Sequence, residues 1–171
     1  MTNPTIDDFK AIFKGMGPIT ASKFKVVVTQ KELGKNTDRL NMLTDEVVLP
    51  GKTIATSEYT DGRQTKKIPY TFIEDEVTIT FIENTNYEVR RFFDAWMSQI
   101  FDKQRYRVGY KDDFVGGVKI YQLDKTGKEV YGIELQRAYP TTITPVQLNN
   151  AGAEDLVKIT VTFAYDIYST I

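Results

Sequence analysis

The sequence predicts a β-rich α+β fold, an antiparallel β-barrel or sandwich in which one main helix covers an opening or a face. Three observations carry this expectation. Residues 76–83 and 157–167 alternate apolar and polar side chains with the period of a half-buried strand. Asp61-Gly62 and Asp124-Lys125-Thr126-Gly127 are short turn signals between such runs. One segment alone, beginning at Glu88, keeps a long helical stripe.

Taken in order, Thr5 is placed to cap a short helix with Asp8 in its first turn and a stripe of Phe9, Ile12 and Phe13, ended by Gly15, Gly17 and Pro18. Residues 23–30 set Phe24, Val26 and Val28 on one face of a strand. A polar loop containing Gly34 follows over 33–38. The run 40–49 fits strand or helix, and strand is preferred because Val47, Val48 and Pro50 close it. Residues 53–59 and 64–70 flank Asp61-Gly62 as a long hairpin whose arms read as polar on both faces, longer than a connector requires. In the next strand, Val77, Ile79 and Phe81 oppose Glu76, Thr78 and Thr80. Thr85 and Glu88 have capping-box spacing ahead of the helix, whose apolar positions Val89, Phe92, Phe93, Trp96, Met97, Ile100 and Phe101 fall on one stripe. Strands are expected at 106–110, 117–123, 129–137 and 157–167.

A chain of 171 residues suits a single domain, burying about 70% of the surface its unfolded form exposes. With 22 basic and 23 acidic residues the net charge is −1, so there is no bulk attraction to phosphate or to an anionic membrane. The absence of Cys and His removes disulfides, common zinc sites and imidazole-dependent catalysis. The polar, acidic amino terminus and the lack of an apolar run near about 20 residues lead us to expect a soluble protein.

Motifs for small-molecule chemistry are weak. Gly51-Lys52-Thr53 resembles the end of a phosphate loop, but the first glycine of that motif falls at Glu46. The acidic groups Glu74-Asp75-Glu76, Asp112-Asp113 and Glu154-Asp155 are the material for a carboxylate glycosidase, although such doublets are more often solvated edges. No calcium loop is present. Arg63, Lys66 and Lys67 form a basic cluster on the hairpin, suited either to pairing with another subunit or to keeping an exposed edge soluble. The Trp96 stripe is read as the face that packs on the domain's own sheet.

The pattern resembles the tail tube protein family of contractile-tailed bacteriophages, itself similar in fold to type VI secretion inner-tube proteins. The resemblance rests on Gly17 with Lys23, Phe24 and Val26, on Leu49-Pro50-Gly51, and on the hairpin leading to Lys67-Ile68-Pro69-Tyr70. It continues through residues 76–81, Arg91-Phe92-Phe93-Asp94-Ala95-Trp96, Ala138-Tyr139-Pro140-Thr141 and residues 161–166. It implies a non-enzymatic subunit that forms homo-hexameric, stacked rings around a channel for double-stranded DNA, in a virion tail assembled in the host cytoplasm. Implied partners are the tail sheath, baseplate and tail terminator proteins, with no cofactor, metal, membrane or small-molecule ligand. A baseplate tube initiator and a secretion-system tube share the pattern, and a carbohydrate-binding β-domain is the alternative from another class.

Within that resemblance, the polar strand faces are expected to line the lumen with Glu76, Thr78, Thr80, Glu134, Lys158, Thr160, Thr162 and Asp166, a neutral to acidic wall that repels phosphate. The hairpin residues Glu58, Tyr59, Asp61, Arg63, Lys66 and Lys67 are expected to contact the neighbouring ring, as is the amino-terminal segment.

Overall fold

A computed structural model describes residues 5–12, 14, 17, 19–31, 33, 37–146, 148 and 156–171. Helix α1 (Ile6–Ile12) precedes strand β1 (Phe24–Thr29), helix α2 (Thr37–Met42) and strand β2 (Thr44–Val48). A hairpin of β3 (Lys52–Asp61) and β4 (Gln64–Glu74) leads into β5 (Val77–Ile82) and helix α3 (Glu88–Ile100). Two short strands, β6 (Phe101–Asp102) and β7 (Arg107–Val108), and a helical turn, α4 (Lys111–Phe114), come next. The chain ends with β8 (Gly116–Leu123), β9 (Glu129–Ile143), β10 (Lys158–Ala164) and β11 (Ile167–Thr170). Of the sequence expectations, Phe13, Gly15, Pro18, Gly34 and Glu154-Asp155 lie outside the described residues, as do the side chains of Asp8, Phe9 and Ile12.

The main sheet runs β1-β8-β9-β10-β5-β2, antiparallel throughout, with β11 also paired to β9. Strand β9 belongs to both layers: its first half pairs with β8 and β11, and its last residues pair with β10. Where it changes partners, the register slips and Arg137 takes a φ of 56°. That local twist turns one strand into the corner of a sandwich. The sheet does not close into a barrel, because β1 and β2 are its two ends and do not pair with each other. The sandwich alternative describes this subunit.

The core lies between the layers. Val26, Val28, Val118, Ile120, Ile133 and Leu135 face Val77, Ile79, Phe81, Ile159, Val161 and Phe163 across it. Helix α3 inserts Val89, Phe92, Phe93 and Trp96 into the same cluster. Phe93 stands 5.3 Å from Phe81 and 5.8 Å from Phe163, centroid to centroid. The fully buried Trp96 indole N–H donates to the Phe114 carbonyl at 2.7 Å, so its one polar atom is satisfied inside the core. Gly116 must lack a side chain here, since a Cβ would strike the Thr29 carbonyl and come within 2.9 Å of the Trp96 ring. The Trp96 stripe therefore packs on the subunit's own sheets.

Several boundaries differ from the sequence reading. Residues 40–49 are not one strand: α2 covers their start, burying Leu40, and the Asn41 side-chain oxygen accepts the Val28 N–H at 3.0 Å. The Thr85/Glu88 capping box does not form, because Tyr87 sits in a left-handed conformation at the helix start. The Glu83 carboxylate instead accepts the N–H groups of Val89 and Arg90 at 3.1 and 3.0 Å, and the Asn84 side chain accepts that of Glu88 at 3.2 Å. Only Arg107 and Val108 of the expected strand 106–110 pair, and they pair with Phe101 and Asp102. Strand β9 runs past Arg137 to Ile143, with Pro140 tolerated beside a register shift opposite Phe163. The alternating run 157–167 breaks at Tyr165 and Asp166 into β10 and β11.

Because Glu83 satisfies two orphaned donors with a negative charge at the positive end of α3, Glu83→Ala is expected to cost about 1–2 kcal/mol. A urea titration should show a lower midpoint with an unchanged slope. An unchanged midpoint would show that water replaces the carboxylate without loss.

Candidate functional site: the threonine face and the hairpin

Alternation along β5 and β10 turns Val77, Ile79, Phe81, Ile159, Val161 and Phe163 inward and leaves a hydroxyl-rich outer face. Thr80 pairs with Thr160, and Thr162 lies between Thr78 on one neighbour and Thr142 on the other. The Thr80 and Thr160 hydroxyls are 3.1 Å apart, the Thr160 N–H donates to Thr144 Oγ1 at 3.1 Å, and Thr141 Oγ1 donates to the Thr162 carbonyl at 3.2 Å. The face is thus hydroxyl-rich, with several of its hydroxyls held in interstrand hydrogen bonds, and exposed Glu46 joins it from β2 opposite Thr80. Lys158 shares this face, and exposed Glu76 lies just before β5.

The other two expected lumen residues lie elsewhere. Glu134 points outward from the β8–β9–β11 layer, where it meets Lys119 at 3.0 Å. Asp166 occupies the bend between β10 and β11. There it accepts from Lys111 and, at 3.0 Å, from Arg137, which also meets Asp112 at 2.7 Å. Lys158 is paired as well, 2.7 Å from Asp45, a residue pushed out at the register shift in β2. Among the described residues Glu76 is the one charged member of the expected set without an ion pair.

The titration behaviour follows from these contacts. Hydrogen bonds from Lys111 and Arg137 hold the Asp166 carboxyl below its ordinary range. Lys119, then Gln136, do the same for Glu134, while Asp45 raises the Lys158 ammonium. Sequence reasoning missed Lys111, Asp112, Lys119, Arg137 and Asp45 as partners because each pairing depends on register or on the β9 corner.

The hairpin is a separate two-stranded sheet. Glu58 pairs with Lys67 and Tyr59 with Lys66, and Asp61 pairs with Gln64, so the loop is Gly62-Arg63 rather than Asp61-Gly62. Gly62, with φ 62°, provides the positive φ that a two-residue hairpin loop with Gly first requires. Every residue of β4 except Glu74 is exposed. The arms are not polar throughout: Ile54, Ile68, Tyr70, Phe72 and Ile73 are exposed apolar residues in the half nearest the body. The charged tip dominates the composition of this stretch and masks them. Pro69 and Tyr70 sit at a register shift between Ala55 and Thr56, which accommodates the missing N–H.

Three contacts fix the base of the hairpin. Tyr165 donates its hydroxyl to the Asp75 carbonyl at 2.8 Å, and partial burial pushes its pKa up to about 12. The Lys52 ammonium lies 4.0 Å from the centre of the Tyr168 ring, and the Asp75 N–H donates to the Gly51 carbonyl at 3.4 Å.

Of the carboxylates considered for hydrolysis, Asp112 pairs with Arg137, and among the described residues no group of three or more acidic side chains gathers into a metal site. No helix is long and apolar enough to cross a membrane among the described residues.

A family model described as phage tail tube protein matches residues 12–171. No curated protein sequence matches the chain. The fold is similar to a chain in the cryo-EM structure of the anti-feeding prophage baseplate, with a TM-score of 0.70 and 13% identity over 90% of this chain and 95% of the other. It is also similar to a chain of the PVC extracellular contractile injection system sheath-tube complex, with a TM-score of 0.65 and 17% identity over 99% of both. The crystal structure of an Hcp protein resembles it with a TM-score of 0.51 and 11% identity over 85% of this chain and 89% of the other.

The Asp166 contacts give a signed pH dependence. Its folded pKa is depressed, so its stabilising contribution is present above the unfolded value and is lost as pH falls through the folded one. Thermal midpoints measured from pH about 5 down to about 2 should fall for the native protein and fall less for Asp166→Asn. Parallel curves would remove Asp166 from the acid response.

Proposed function

The chain belongs to the phage tail tube protein family, as a structural subunit of an inner tube, and on that premise we propose how its surfaces build and line the tube. Copies close into six-membered rings, the rings stack, and the hollow interior conducts double-stranded DNA when the tail acts. Sheath, baseplate and terminator proteins are the expected neighbours in the assembled tail.

The observation that carries this reading is the hairpin. It forms a two-stranded sheet of its own, and every residue of β4 except Glu74 is exposed. On such an arm Ile54, Phe72 and Ile73 are left uncovered by the described residues of its own subunit. A second copy covers it and removes free strand edges that would otherwise aggregate. The tip, with Glu58, Tyr59, Asp61, Arg63, Lys66 and Lys67, extends furthest toward the adjoining ring.

The threonine face is the proposed lumen wall. Glu76, Thr78, Thr80, Lys158, Thr160 and Thr162 lie along it, with Lys158 neutralised by Asp45. With Glu46 opposite Thr80, such a wall carries two carboxylates without an ion pair among the described residues and no base without one, so it neither condenses DNA nor releases its counterions. Passage is then fast because binding is weak. Glu134 and Asp166, paired on other surfaces, contribute to the subunit's own cohesion.

Two measurements test these assignments. Deleting residues 58–65 should leave a folded subunit, by circular dichroism, that no longer forms stacked tubes in negative-stain electron microscopy; normal tubes would count against a stacking role. Tubes carrying Thr78→Lys with Thr160→Lys should assemble but eject DNA several-fold more slowly at low salt, with the deficit shrinking as salt rises. Ejection at the native rate would place the lumen on another face.

A further inference from the structure

The hairpin continues a ladder that begins in the body. β2 pairs with β5 and β3 with β4, and between them the Asp75 N–H donates to the Gly51 carbonyl. The rungs Val48–Thr78, Gly51–Asp75 and Lys52–Glu74 therefore keep one register through the break. On the other side of β5, β10 runs on into β11 with an unbroken count against β9, from Ala164 opposite Tyr139 to Ile167 opposite Gln136. The sheet forks here. β10 and β11 follow β9 round its corner, while β3 and β4 leave the body as a separate ribbon.

Both branches of the fork have a bare edge. β11 pairs with β9 alone, and β4 with β3 alone. The two edges are turned toward each other, because β5 lies between β2 and β10 and β4 keeps β3 on the β2 side. Counting on from Phe163 opposite Val77, the same register would set Tyr165 opposite Asp75, Ile167 opposite Ile73 and Tyr168 opposite Phe72. The first of these positions is already in contact, since the Tyr165 hydroxyl donates to the Asp75 carbonyl at 2.8 Å. Lys52, the partner of Glu74 on the ribbon, reaches across to the Tyr168 ring at 4.0 Å. Beyond these contacts the branches part, and Ile73 and Ile167 are left 47% and 48% exposed.

We propose that in the unassembled subunit the hairpin zips onto the free edge of β11, with Ile73 beside Ile167 and Phe72 beside Tyr168, and that the extended arm is the assembled arrangement. Zipping prolongs the β5–β10 ladder, covers apolar side chains and pairs two strand edges that would otherwise invite aggregation. The hinge is confined to Pro50-Gly51 and Asp75-Glu76, which lie between the strands on either side of the break. A side chain at Gly51 would strike the Asp75 carboxylate, so the two hinge segments pass close to each other. On the reading that the extended arm joins copies of the chain, a zipped arm holds a free subunit inert until a ring end takes the arm up.

The native chain has no Cys, so an Ile73→Cys/Ile167→Cys chain carries one thiol pair, at two exposed positions. Treated with diamide as dilute subunit, it should close an intramolecular disulfide, read by mass and by mobility on a non-reducing gel. Closure should be about tenfold or more faster than in an Ile73→Cys/Ile171→Cys chain, whose thiols are out of register and beyond bridging distance. In preformed tubes the Ile73→Cys/Ile167→Cys thiols should stay reduced. The locked subunit should yield no sedimentable polymer, and dithiothreitol should restore it. Equal oxidation rates for the two pairs, or a locked subunit that polymerises like the reduced one, would overturn the zipped arm and leave the tube reading intact. If the native chain itself forms no tubes, the tube reading falls, while the oxidation rates decide the zipped arm on their own.

Discussion

The corner in β9 at Arg137 is the constraint on which the rest of the subunit depends. One strand serves both layers, and it does so only because the chain turns there through a left-handed residue with φ 56°. For a residue other than glycine that conformation costs about 1–2 kcal/mol. The Arg137 guanidinium is held by Asp112 on α4 and Asp166 beyond β10, so the elements on either side of the bend share its ion pairs. These contacts are part-exposed, and their worth is modest singly. Their effect is geometric: they hold α4 against the corner, and α4 supplies the Phe114 carbonyl to which the buried Trp96 indole donates.

From that corner the two surfaces proposed for lining and assembly follow. Folding the sheet at β9 stacks the layers and hides one face of each strand, which leaves the threonine side of β5 and β10 outward as a continuous hydroxyl-rich strip. It also sets β1 and β2 as the two ends of an open sheet. A closed barrel would have satisfied every edge within one chain. This subunit leaves a seam and an arm instead, and unsatisfied edges with uncovered apolar groups are what a polymerising structural protein requires of an isolated copy.

Electrostatics plays a smaller part than composition implies. Twenty-two basic and 23 acidic residues nearly cancel overall, and they also cancel locally: Lys119 with Glu134, Lys158 with Asp45, and Arg137 with Asp112 and Asp166. A surface built from such pairs has little long-range field. That suits the proposed conduit for DNA, where attraction to phosphate would slow the cargo and strong repulsion would oppose its entry.

By itself, the sequence determined the local elements: the alternation of Val77, Ile79 and Phe81 against Thr78 and Thr80, the Trp96 stripe, the hairpin, and the absence of imidazole and thiol chemistry. Those are properties of spacing and residue type, set by the periods of strand and helix and legible without neighbours. Only the tertiary structure decided what depends on distant residues meeting. Glu83 displaced the expected Thr85 cap because Tyr87 is held left-handed, and α2 formed where strand was expected because Asn41 answers an N–H on β1. Glu134 and Asp166 left the threonine face because the β9 corner and the bend after β10 send them elsewhere. The hairpin's apolar half was present in the sequence at Ile54, Phe72 and Ile73, but only the fold shows that these side chains stay exposed among the described residues. Pairing, register and burial are relations between segments far apart in the chain, and one-dimensional periodicity carries no record of them.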